Sequence, residues 1–102
     1  MATKRKSKPF DVAEHLNSEV VIAAYLDEAM ATGDAAYIVK AIGTVARSRG
    51  MTQIAKDASM SRESLYKSLG GDGNPEFATV LRVLSALGLR LSVELERAGA
   101  ST

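Results

Sequence analysis

The stretch Met51-Thr52-Gln53-Ile54-Ala55-Lys56-Asp57-Ala58-Ser59-Met60-Ser61-Arg62-Glu63-Ser64-Leu65-Tyr66-Lys67-Ser68-Leu69 decides how the rest of the chain must be arranged. It predicts a short helix from Thr52 to about Ala58, a break over Ser59–Ser61, and a second short helix ending near Leu69. Two helices that cross steeply through a tight turn need particular side-chain sizes. Ala55 stands where the first helix must let the second approach, because a larger side chain would wedge them apart. Ile54 and Ala58 face inward, Met60 fills the corner, and Leu65 pins the second helix down. Ser61 is a good N-cap for the second helix and Thr52 for the first, which leaves Gln53 at the first helix's N-terminus.

Working outward, the upstream sequence predicts two longer helices. From Glu19 the residues Val21, Ile22, Tyr25, Leu26, Ala29 and Met30 recur at helical spacing, with Asn17 or Ser18 as cap and Gly33 as terminator. Asp34 caps the next helix, which runs to about Arg49 with Ile38, Ala41, Ile42 and Val45 inward, until Gly50 stops it. Gly43 inside that helix is a propensity penalty of ~1 kcal/mol and marks a close contact with another helix. Before these, residues 1–10 read as a flexible basic arm, and Asp11 can cap a short turn through Leu16.

Downstream, Gly70-Gly71-Asp72-Gly73-Asn74-Pro75 is a loop by composition. Asn74 as cap and Pro75 as first helical residue open a final helix with Phe77, Val80, Leu81, Leu84 and Leu87 as its apolar stripe, closed by Gly88. Leu89-Arg90-Leu91-Ser92-Val93-Glu94-Leu95 then alternates apolar and polar, which is a strand pattern. The expected architecture is one all-α domain over residues 11–95, five helices followed by one strand, with 96–102 as a tail. A lone strand needs a partner for its backbone groups. Antiparallel pairing with the same strand of a second copy, through Leu89, Leu91, Val93 and Leu95, supplies one; a short extended tail lying on the core is the alternative.

Composition narrows the function. The chain has 102 residues, 46% of them hydrophobic and 25% charged, enough for a single small core. It has no cysteine and one histidine, which excludes thiol nucleophiles, disulfides and multi-histidine or cysteine metal sites. The longest apolar run, Val20–Leu26, is far short of a membrane span, and the basic N-terminus is followed by no apolar stretch, so a cytoplasmic location is expected. A net charge of +1 hides segregation: residues 11–34 carry six acidic side chains and no Lys or Arg, while residues 35–75 carry six basic against three acidic. Binding of nucleic acid depends on where positive charge is clustered, though clustering of this size also fits a solvated surface.

The spacing of residues 52–69 resembles the helix-turn-helix of the lambda-repressor-like, or XRE, family. Two positions depart from the pattern: Ser59 stands where that corner usually has glycine, and Ser68 where an apolar residue is expected, a role Leu69 can take over. The wider run from Met51 through Gly73-Asn74-Pro75-Glu76-Phe77-Ala78-Thr79-Val80-Leu81-Arg82-Val83-Leu84 to Ala86-Leu87-Gly88-Leu89 is similar to the small HigA-like addiction-module antidote proteins. Phe10-Asp11-Val12-Ala13-Glu14-His15-Leu16 and Ile22-Ala23-Ala24-Tyr25-Leu26 extend the resemblance to residues 10–95. It implies a DNA-binding antitoxin that represses its own operon and binds a RelE/ParE-type toxin. A stand-alone repressor without a toxin is the alternative.

In such a motif the second helix enters the major groove. The residues it would present are Ser61, Arg62, Glu63, Tyr66 and Lys67, with Ser64 at the margin. Arg62 could pair with guanine, and Glu63 could accept from cytosine or orient Arg62; Tyr66 and Lys67 suit phosphates. Thr52, Gln53 and Asn74 are expected near phosphates at helix N-termini. The implied toxin is basic, so the acidic segment is the expected partner surface, through Val20, Ala24, Tyr25, Asp27 and Glu28. No catalytic constellation, metal site or cofactor is implied; the Gly70–Gly73 stretch lacks the Gly-Lys-Ser/Thr of a nucleotide-binding loop.

Overall fold

Each helix begins or ends where a specific residue satisfies its free backbone groups. The computed structural model describes residues 18–96, within which the helices are α1 (Glu19–Ala31), α2 (Ala35–Arg49), α3 (Met51–Asp57), α4 (Arg62–Ser68) and α5 (Phe77–Ala86). The expected basic arm, the turn at Asp11 and the end of the tail lie outside the described residues. Ser18 caps α1, its Oγ accepting from the Val20 amide at 3.2 Å. Asp34 caps α2, its carboxylate accepting from the Tyr37 amide at 3.2 Å. Gly50, at φ 107°, is a one-residue joint between α2 and α3.

The core is one cluster drawn from all five helices. Ile22, Ile42, Val45, Leu65 and Val83 are its fully buried large side chains. α1 packs chiefly on α2, α2 on α3, and α3 on both α4 and α5, so the short α3 is the hub that the other elements share. Gly43 is where α2 passes the end of α4: a Cβ there would stand 3.1 Å from the Leu69 carbonyl oxygen. The close contact expected from that glycine is present.

Several expectations are corrected. α3 starts at Met51 after Gly50, with no side-chain cap, so Thr52 is a first-turn residue and not the N-cap. α5 starts at Phe77 with Glu76 in the cap position, so Asn74 and Pro75 belong to the preceding loop and cap nothing. Along α5 the buried face is Val83, Leu84 and Leu87, while Phe77 is 66% exposed and Leu81 41%; the helix is rotated from the expected stripe because its packing partner is α3. Val21 likewise lies outside the buried face of α1. Residues 89–95 form no strand. A strand exists only within a ladder, and no described segment offers one.

Candidate nucleic-acid interface

α3 and α4 form the expected hairpin, and the corner between them is built by hydrogen bonds rather than by sequence composition. The Met60 amide donates to the Ala55 carbonyl at 2.8 Å and the Ser59 amide to that of Lys56 at 3.1 Å. That pair is a Schellman closure, which requires a left-handed residue. Ser59 supplies it at φ 60°, the one non-glycine residue with positive φ among those described. Leu65 and Leu69 are buried, at 0% and 3% exposure, and hold α4 in place. Leu69 thus takes the apolar role that Ser68 leaves open.

The outward side of α4 carries Ser61, Arg62, Glu63, Ser64, Tyr66 and Lys67, all exposed. Ser61 caps the helix, its Oγ accepting from the Ser64 amide at 2.9 Å. The Arg62 guanidinium lies over the Tyr66 ring, 5.2 Å from its centroid, and its Nη2 donates weakly to the Tyr66 hydroxyl at 3.4 Å. Such a stack holds a long side chain near one geometry without neutralising its charge. On α3, Thr52 and Gln53 are exposed, and the Gln53 amide donates to the Asp57 carboxylate at 2.9 Å.

The loop after α4 adds to the same side. Asn74 borders, with Tyr66 and Lys67, a shallow cleft of about 510 Å³. Gly73 must be glycine here, because a Cβ would meet the Ser68 carbonyl and stand 2.7 Å from that of Lys67. Lys40 and Arg47 of α2 line a neighbouring cleft that also includes Gly70, Gly71 and Asp34. Lys40, Arg47 and Lys67, three of the six basic residues of the 35–75 segment, thus line clefts at the loop after α4, a convergence that position along the chain does not disclose. Sequence reasoning also missed Arg82: its Nε donates to the Ala58 carbonyl at 3.1 Å and ties α5 to the corner of the hairpin. The only sign of it in the sequence is one cation inside the apolar run Val80–Leu84.

The other expected site residues fall elsewhere. On α1, Val20 is 79% exposed, Ala24, Asp27 and Glu28 are exposed, and Tyr25 is half-buried against the core. Leu89 and Leu91 are half-buried on the core, whereas Val93 and Leu95 project from it. No described helix is long and apolar enough to cross a membrane.

Residues 6–95 match the family model described as probable addiction module antidote protein. The chain is also 52% identical over 90 residues, 88% of its own length and 93% of the relative's, to a Haemophilus influenzae protein described as uncharacterized. No solved structure matches it.

Proposed function

The chain belongs to the family of probable addiction module antidote proteins, and from that premise we propose that it is a DNA-binding antitoxin of XRE type that neutralises a RelE/ParE-type toxin by direct contact and represses its own operon. The observation that carries the DNA-binding half is α4. Two buried leucines hold it against the core while Arg62, Glu63, Tyr66 and Lys67 are left exposed on it, as a recognition helix in the major groove requires. Lys40 and Arg47 line a cleft with the loop that follows it, where positive charge favours the phosphate backbone. Arg62 reads guanine by a bidentate pair, Lys67 anchors on phosphate, and Thr52, Gln53 and Asn74 flank them; Glu63 accepts from cytosine or steadies Arg62.

The toxin-neutralising half rests on family membership and on charge. α1 carries Glu19, Asp27 and Glu28 and no basic residue, and packs on α2 rather than on the hairpin. A carboxylate-rich face is repelled by DNA and attracts a basic protein. Val20 and Tyr25 are the apolar anchors beside those charges.

Two measurements test the proposal. The full chain is expected to retard a fragment of DNA from upstream of its own gene, and to co-purify with the product of the adjacent reading frame when the two are expressed together. Retardation without co-purification supports the stand-alone repressor. Co-purification without any retardation removes the DNA-binding role from α4.

A further inference from the structure

An arginine that reads a base from a short exposed helix needs a neighbour to hold its side chain, and α4 offers Arg62 two. In a helix, residues four apart share a row, while the next residue along is turned by about 100°. The exposed side of α4 therefore carries two rows, Arg62 with Tyr66 and Glu63 with Lys67. The contacts follow the first row only. The Arg62 guanidinium stands 5.2 Å from the centroid of the Tyr66 ring, and its Nη2 donates to the Tyr66 hydroxyl at 3.4 Å. Among the described residues, the Glu63 carboxylate forms no ion pair with Arg62 or with Lys67.

We propose that Tyr66 is the positioning residue for Arg62, and that Glu63, standing apart from it, reads a base independently. The assignment rests on the DNA-binding reading of α4 and divides the roles within it. A ring under a guanidinium limits where its plane can go and leaves its charge intact. The one bond to the Tyr66 hydroxyl leaves the other N–H donors free for the two parallel bonds that guanine O6 and N7 accept. A carboxylate holding the same arginine would occupy that fork and offset its charge. A side chain already stacked also loses less freedom on binding than an unrestrained one.

The surroundings of the two candidates differ in the same sense. Leu65 and Leu69 are buried, so α4 cannot roll and its rows keep their direction. Tyr66 is 42% exposed and borders the cleft formed by the loop after α4, which Glu63 does not line. An unpaired carboxylate is an acceptor only, and the base group that suits it in the major groove is the N4 amine of cytosine.

Mobility shifts over single-base variants of the DNA upstream of the gene test the assignment. Arg62→Ala is expected to lower the preference at its base pair about tenfold. Tyr66→Ala should lower the same preference about threefold, and Tyr66→Phe should retain most of it. Combined with Arg62→Ala, Tyr66→Ala should add nothing further, whereas the effects of Glu63→Gln and Arg62→Ala should multiply. In the free protein, nuclear magnetic resonance order parameters of the Arg62 side chain should exceed those of the exposed Arg90. They should fall in Tyr66→Ala and hold in Glu63→Gln, with circular dichroism unchanged in both. Equal weakening of all sequences by Tyr66→Ala, an Arg62 as mobile as Arg90, or Glu63→Gln effects that fail to multiply overturn the assignment while DNA binding stands. A chain that retards no DNA overturns the DNA-binding reading and the assignment together.

Discussion

Ser59 and Gly88 do the same work at two helix ends, and only one of them is suited to it. Both close Schellman motifs, Ser59 at φ 60° after α3 and Gly88 at φ 82° after α5. A left-handed conformation costs an L-residue roughly 1–2 kcal/mol that glycine is spared, partly offset by glycine's greater freedom in the unfolded chain. Ser59→Gly is expected to raise stability by about 0.5–1 kcal/mol in a urea titration; a decrease would mean that the serine side chain contributes more than its backbone strain takes away. On the neighbouring helix, Arg62→Ala should weaken operator binding by roughly 1–3 kcal/mol and relax the preference at one base pair per half-site. Lys67→Ala should weaken all sequences alike and flatten the dependence on salt. Mobility shifts over a set of single-base variants separate the two, and uniform weakening by both would make Arg62 a phosphate contact. Tyr66 belongs to the same account, since its ring already holds the Arg62 guanidinium.

Among the elements, α5 both buries Val83, Leu84 and Leu87 in the core and braces the corner of the hairpin. Arg82 satisfies the Ala58 carbonyl at the end of α3, where a cation also complements the helix dipole. Arg82→Ala is expected to cost about 1 kcal/mol, with Arg82→Lys recovering part of it, both read from the shift in urea midpoint. A loss confined to operator binding at unchanged stability would move Arg82 from the scaffold to the interface. α1 has a double character: Ile22, Leu26 and Ala29 are core residues, so the helix cannot be removed without opening the core. Its exposed side is tested instead by Val20→Asp and Glu28→Lys. Each should weaken binding of the co-expressed toxin by about tenfold and leave the urea midpoint and operator affinity unchanged. Full toxin binding by both variants would place the toxin on another surface.

For the whole molecule, a two-fold dimer would present two copies of α4 to one side of a duplex. The operator is then expected to be an inverted repeat with half-sites about 34–36 Å apart, or a multiple of that. Footprinting that finds one half-site occupied by one chain would exclude it. Much of this molecule is legible in one dimension. Helix existence and most boundaries are local matters of capping, glycine placement and apolar spacing, so Ser18, Gly33, Asp34, Gly50, Ser61 and Gly88 mark their ends correctly. The outward set on α4 is legible too, because two leucines at helical spacing leave a helix little choice of what to expose. The sequence by itself therefore determined the helical order, the hairpin and the segment that presents its polar side chains. Only the tertiary structure decided which side of α5 is buried, that Arg82 closes the hairpin, that Lys40 and Arg47 approach the α4 loop, and that Val93 and Leu95 are left without a seat. Those are relations between residues far apart in the chain, set by how whole elements pack, and no periodicity within one element contains them.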